Sequence, residues 1–397
     1  MRSFLAVALV VAVLASGGCG EDPPPEPPPP AIAPVQRPTV AASRPVATPA
    51  AFAVIPASEG ALLLWAAPRA AGGGVRALPL GPLGQVTGPE RTIVTEGAAA
   101  GGAFEDRIGQ VVELDAAAVG RRVGVAWVVD HGLALEVQAS HSLDGGGSFT
   151  RPVDLGPTVR LGEGEHGGRL SMAGATDGAL VLYHRIPEGP CVASSGTCAR
   201  FTRSGVGTEP AQAMRGTEPL EVQHPCEPLV SGATFRDGTW YYAICHRAPT
   251  PRVTTYVIRP AVAYAAAVEG RADCTPLAVA PLDGGVAVLT RCGTDVGALV
   301  LDPMGRELAR LTAVQRSATC VEGRPLLRLA EAERSFELHL GSAVDHVEGL
   351  LPEELAPTGS RATWTGEALL VAVPLAREVS LRRHECVRGR FERTDVP

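Results

Sequence analysis

From residue 51 onward, strong apolar segments return along the chain roughly every 40 to 60 residues, each following a weaker apolar segment and a short turn. Seven such segments begin near Ala61 (ALLLWA), Val123 (VGVAWV), Ala179 (ALVLYH), Thr239 (TWYYAI), Val286 (VAVLT), Ser335 (SFELHL) and Ala368 (ALLVAV). The turns before them include Glu59-Gly60, Asp177-Gly178, Asp237-Gly238 and Gly366-Glu367. Short runs rich in β-branched and aromatic residues, bounded by Gly and Asp, are strands and not helices. Segments such as Leu62 to Trp65 are apolar at consecutive positions, so both faces of the strand meet other protein. The pattern predicts an all-β chain of repeated sheets covered on both sides. A two-sheet sandwich shares the short strands but does not require seven similar units.

One unit, roughly residues 108–155, shows its full plan. Arg122 to Val129 reads as a strand, Asp130-His131-Gly132 as a turn, and Leu133 to Ala139 as a strand with Leu133, Leu135 and Val137 alternating. Then comes Ser142-Leu143-Asp144-Gly145-Gly146-Gly147-Ser148-Phe149. Here Asp144 accepts bonds from backbone N–H groups just downstream, glycines supply positive φ, and Phe149 gives the returning chain an apolar anchor.

This spacing resembles the Asp box, S-x-D-x-G-x-[TS]-[WF], of the sialidase-like β-propellers. The resemblance implies a β-propeller of about seven four-stranded blades, with six or eight as variants. It gives Ser142, Asp144, Gly146, Ser148 and Phe149 a structural role in a turn on the edge away from the family's active site. Ligands would then meet the opposite edge, where Arg185, Arg247 and the Cys191 to Cys198 loop are expected.

The N-terminus changes the picture of location. Arg2 precedes an apolar run from Phe4 to Ala15, then Ser16-Gly17-Gly18 leads to Cys19. This is the layout of a secretory signal, and the run is too short to span a bilayer. Leu14 to Cys19 resembles a bacterial lipobox, which implies a signal peptide over residues 1–18, cleavage before Cys19 and lipidation of its thiol. Residues 19–50 then form a proline-rich tether with too little apolar bulk to fold, and residues 51–397 the propeller. Stretched as polyproline II, the tether reaches up to about 90 Å. The expected location is the outer membrane of a bacterial envelope, with the lipid as the membrane contact and an envelope protein or glycan as partner.

Eight cysteines remain beyond Cys19, an even number in an exported chain, so disulfides are the default. Cys226 and Cys245 bracket one two-strand repeat, Cys274 and Cys292 a second, and each pair meets at one end of a hairpin. Cys191 and Cys198 close a short loop. Cys320 and Cys386 remain by elimination, against an objection: Cys320 is expected to open an inner strand and Cys386 to close a third strand on the opposite edge. There is no CxxC pair, and no metal or other cofactor is expected.

Composition excludes several chemistries. The chain has no Lys, hence no P-loop lysine, Schiff base or Ser-Lys dyad. A net charge of −7 without a basic run argues against nucleic acid. The resemblance raises a glycosidase with an arginine triad, a Tyr nucleophile helped by Glu, and an acid Asp. Arg185-Ile186-Pro187 matches the family's R-I-P motif but follows the Asp box instead of preceding it, and Tyr241 and Tyr242 fit strand packing better. Glu163, Glu165 and His166 make an acidic loop without cation-site spacing, His384-Glu385-Cys386 is not HExxH, and His141 and His184 read as turn or surface residues. The expectation is therefore a non-catalytic binding or scaffolding module with no catalytic residues assigned; the alternative is a sialidase-like glycoside hydrolase.

Overall fold

The computed structural model describes residues 44–95, 109–158, 160, 169–174, 180–186, 198–203, 214–216, 232–236, 239–246, 252–259, 264–272, 274–282, 285–302, 304–339, 350–357 and 359–394. All of them belong to the unit Pro38–Pro397. They form seven antiparallel sheets, numbered here in chain order.

Sheet 1 holds Phe52–Ala57, Gly60–Ala66, Val75–Leu80 and Arg91–Val94, and sheet 2 holds Gln110–Val119, Arg122–Asp130, Leu135–Ser142 and Val153–Thr158. Sheet 3 runs from Leu170–Gly174 through Leu180–Ile186 and Cys198–Arg203 to Met214–Gly216. Sheet 4 comprises Gly232–Arg236, Thr239–His246, Arg252–Arg259 and Tyr264–Ala272; sheet 5, Thr275–Leu282, Gly285–Cys292, Asp295–Leu301 and Glu307–Leu311. Sheet 6 has three described strands, Gln315–Val321, Arg324–Glu331 and Arg334–His339. Sheet 7 combines Arg361–Trp364, Ala368–Leu375 and Glu378–Val387 with two outer pieces, Arg44–Pro45 and Arg390–Arg393. Apart from Arg44–Pro45 in sheet 7, the strands of each sheet follow one another in chain order, as hairpin connections dictate.

Sheet 1 shows why its second strand is apolar at every position. Leu62 and Leu64 lie in one core cluster with Leu114, Val123, Val125 and Trp127 of sheet 2. Leu63 and Trp65 point the other way, into a cluster with Ala368, Leu370, Ala372 and Leu381 of sheet 7. Each face of the sheet is thus covered by a neighbour, and each buried Leu contributes about 1.5 to 3 kcal/mol. First strands of consecutive sheets run side by side from sheet 7 to 1, 2, 3, 4 and 5. The fold is a β-propeller.

The last sheet closes on the first through the chain termini of the domain. Arg44 pairs with Val379 and Pro45 with Glu378, and Val46 behind them is buried. The folded region therefore starts before residue 51, inside the stretch expected to be tether.

Sheet 6 departs from the expected plan. Its third strand, not its first, lies against the first strand of sheet 5, while Gln315–Val321 lies against the outermost strands of sheet 7. The segment SFELHL is consequently a third strand, and the second is Arg324–Glu331. The reversal also removes the objection to the last disulfide. Cys320 sits near the end of an outer strand, its N–H bonded to Gly389 O at 3.2 Å, and it forms a disulfide with Cys386, Cα to Cα 5.9 Å. Cys274 and Cys292 are also bridged, at the open end of the first hairpin of sheet 5.

Candidate functional site

The two edges of sheet 2 carry different chemistry. On one edge the 142–149 turn is a closed hydrogen-bond system. Ser142 Oγ donates to Asp144 Oδ1 at 2.6 Å and accepts the Gly146 N–H at 2.8 Å. Ser148 returns to Asp144 twice, its N–H to Oδ1 at 2.9 Å and its hydroxyl to Oδ2 at 2.7 Å. Gly145 and Gly146 have φ of 79° and 89°, and a Cβ on Gly146 would stand 2.8 Å from Leu62 Cδ2. The turn is docked on its surroundings by Gly145 N–H to Arg121 O and by Arg91 of sheet 1, which donates to Gly146 O. Phe149 packs against the core between sheets 1 and 2. Burial acts to raise the Asp144 carboxyl, but the hydroxyls of Ser142 and Ser148 and the N–H groups of Ser148 and Gly147 outweigh it and lower it to about 2. Both Asp144 oxygens are engaged by donors of the turn itself, so this turn is architecture.

The opposite edge gathers charged groups from three elements. Asp130 ends the second strand, and its Oδ1 accepts the Gly132 N–H at 2.7 Å, an Asx-turn. Arg160, just beyond the fourth strand, donates from Nη2 to Asp130 Oδ1 at 3.0 Å and to Gly132 O at 2.7 Å. His131 N–H reaches Ala134 O at 2.9 Å. His131 Nε2 and Glu136 Oε2 are 3.2 Å apart, within ion-pair range but not aligned as a hydrogen bond. At the tip of this braced loop Leu133 is 84% exposed.

Glu113, on the first strand of the same sheet, is 3% exposed. Its Oε1 accepts the N–H groups of Arg169 at 2.9 Å and Leu170 at 3.2 Å, and its Oε2 accepts Arg169 Nη1 at 3.0 Å. Two residues on, Asp115 Oδ2 accepts the Met172 N–H at 2.9 Å. Two buried carboxylates thus take up the backbone donors at the edge of sheet 3 and lock it to sheet 2. Burial raises the Glu113 carboxyl above its ordinary value, resisted by the Arg169 charge and the Leu170 N–H. Asp130 moves the other way: desolvation acts to raise it, but bonds from Arg160 and Gly132, with the charges of Arg160 and Arg169, lower it. Opposed carboxyl shifts around a shared arginine are the electrostatic form of an acid–base pair. Here, however, both Glu113 oxygens are occupied by the neighbouring sheet.

None of these edge residues was assigned a binding role from sequence. Asp130 and His131 are legible only as a turn, and Arg160 and Arg169 lie 30 and 56 residues along the chain from the carboxylates they meet. Arg185 lies in the strand Leu180–Ile186, opposite Ala199. Tyr241 and Tyr242 lie mid-strand in sheet 4, opposite Val257 and Tyr256. Cys198 and Cys245 are also strand residues, whereas Arg247, Cys191, Cys226 and the Glu163, Glu165, His166 loop fall outside the described residues. His184 is fully buried, not a turn or surface residue: it shares a strand face with Leu180 and Leu182, which pack against sheet 2. His141 is half-buried beside Thr150, its Nδ1 3.2 Å from Thr150 Oγ1. Among the described residues no group of three or more His, Cys, Asp and Glu is placed to hold a metal ion.

No protein-family profile matches the chain, and no curated protein sequence matches it. Solved structures similar to it include a prolyl endopeptidase at 14% identity and TM-score 0.44, covering 88% of this chain and 51% of that one. A Trypanosoma rangeli sialidase aligns at 10% identity and TM-score 0.43 over 87% of this chain and 54% of its own. The six-bladed Aleuria aurantia lectin aligns at 11% identity and TM-score 0.39 over 89% and 95%. The chain spans about half the length of the first two.

Proposed function

We propose that the chain is an exported lipoprotein, lipidated on Cys19 and held at the outer membrane, whose propeller binds or scaffolds an envelope component without catalysing a reaction. The observation that carries the binding role is Leu133: an apolar side chain held almost fully in water on a loop braced by Arg160, by Asp130 and by the His131 N–H to Ala134 O bond. A rigid exposed anchor loses little entropy on contact, which is how binding loops on rigid scaffolds gain affinity. The charged groups around it support the same role, since Glu113, Asp130, Arg160 and Arg169 brace one another and the backbone. The Asp-box resemblance adds the sialidase-like superfamily as the evolutionary setting.

The test has three parts. Fatty-acid labelling is expected on the wild-type chain and absent from Cys19→Ala. Purified protein is expected to bind an immobilised envelope protein or glycan, with Leu133→Ser and Arg160→Ala each weakening that binding. Specific hydrolysis of a fluorogenic sialoside or another glycan would overturn the non-catalytic assignment and establish the glycosidase.

A further inference from the structure

The first and last described strands share one edge of sheet 7. Arg44–Pro45 covers the start of the strand Glu378–Val387 and Arg390–Arg393 covers its other end, so Arg44, the first described residue, lies at this outer edge. Arginine is concentrated there. Residues 377–394 contain six arginines against three glutamates, in a chain whose formal net charge is −7.

The backbone presents part of this charge outward. Arg388 and Gly389 form a two-residue hairpin turn with φ of 48° and 80°, and Arg388 and Arg390 are both exposed. A second turn of the same kind, Glu322-Gly323 with φ of 52° and 74°, lies beside it on sheet 6. It is flanked by exposed Arg324 and by Val321, which is 47% exposed. The two turns are fixed together by the Cys320 to Cys386 bridge and by the Cys320 N–H to Gly389 O bond. Glu322 and Glu392 are the exposed acids nearby, while Glu385 is held by Arg383 at 3.0 Å.

We propose that this edge is a docking surface for an anionic lipid layer, with Arg324, Arg388 and Arg390 meeting headgroup phosphates and Val321 entering between them. Arginine suits phosphate because its planar fork donates two parallel bonds. The attraction acts within about a Debye length of the surface, roughly 8 to 10 Å. Arg44 lies against the same outer strand, opposite Val379 and nine positions along the chain from Arg388, a separation that a tether reaching up to about 90 Å can span. The orientation rests on the lipid-anchor reading; the charge of the edge does not.

The test uses the full chain carrying Cys19→Ser, so that the acyl anchor contributes nothing. Flotation is compared on neutral phosphatidylcholine vesicles and on vesicles also containing phosphatidylglycerol, the difference between them being the quantity read. Binding is expected to be greater on the anionic vesicles and to fall as salt is raised. The triple variant Arg324→Glu, Arg388→Glu, Arg390→Glu is expected to lose about tenfold or more of the anionic component. The pair Arg69→Glu, Arg151→Glu, exposed elsewhere, is expected to retain it. A triple variant that unfolds at the wild-type temperature yet binds anionic vesicles as tightly as wild type would overturn the proposal. So would equal binding to both vesicle types. Release by excess inorganic phosphate at constant ionic strength would identify a single phosphate site and would also overturn it. Fatty-acid labelling of Cys19 reports separately on the anchor.

Discussion

Replacing Glu113 by alanine tests the joint between sheets 2 and 3. The carboxylate serves two backbone N–H groups and the Arg169 guanidinium, in a site where both charged side chains are nearly or fully out of water. Glu113→Ala strands all three donors at once. Each unmet buried donor costs about 1 to 3 kcal/mol, and removing one partner of a buried ion pair costs about 3 to 5 kcal/mol. These figures describe the same loss, so the expected destabilisation is about 3 to 5 kcal/mol, large against a typical total of about 5 to 15 kcal/mol. Glu113→Gln keeps the shape and one acceptor but loses the charge, and is expected to cost about 1 to 2 kcal/mol at neutral pH. The pH dependence has a definite sign. Because burial raises the folded carboxyl above its ordinary 4.5, the contribution of Glu113 is full below pH 4.5 and shrinks as pH rises through the folded value. Urea unfolding of both variants from acid to neutral pH is the assay, with Glu136→Ala as a half-exposed control. A Glu113→Ala loss under about 1 kcal/mol, or no larger than the control's, refutes the idea that this carboxylate joins the sheets.

Other consequences can be measured alongside. Asp144→Ala removes a carboxylate that accepts from Ser142 and Ser148 and is expected to cost about 1 kcal/mol, its exposure screening the electrostatic part. Since the folded carboxyl lies at about 2, its contribution is present above pH 3.8 and lost as pH falls toward 2, the opposite window from Glu113; a wild-type-minus-variant difference that is flat over that range would contradict it. Gly146→Ala combines positive φ with a clash on Leu62, whereas Gly120→Ala, φ 58°, meets open space; the first is expected to lower the thermal midpoint clearly more than the second. Breaking Cys320 to Cys386, which spans 66 residues, is expected to cost about 4 kcal/mol by chain entropy, against about 3 kcal/mol for Cys274 to Cys292, which spans 18. Paired Cys→Ser variants under denaturant read both, and an inverted order would show that native contacts, not loop length, dominate.

Much of the fold was written locally. Strand-forming segments show in the sequence because a strand buried on both faces must be apolar at consecutive positions, as Leu62 to Trp65 are. The 142–149 turn shows because its bonds connect residues at most four apart, so its spacing is itself the geometry. The hairpin cysteines 274 and 292, 18 residues apart, show because a two-strand repeat brings its two ends together. Local pattern failed at sheet 6. Nothing in Gln315 to Val321 says whether that strand faces the ring or the outside, since both surroundings accept the same alternating pattern. The misassignment of SFELHL followed, and with it the apparent conflict over Cys320.

The site lay further from view. Glu113 takes its meaning from Arg169, and Asp130 from Arg160, over separations of 56 and 30 residues. A lone Glu within an apolar strand looks like an error of pattern until the next sheet brings its backbone donors alongside. Sequence alone determined the strands, the turn and the chain's repeated plan, because those depend on contacts between near neighbours. Only the tertiary structure decided how sheet 6 is oriented, where the domain closes and which charges meet, because those depend on sheets that touch without being adjacent in sequence.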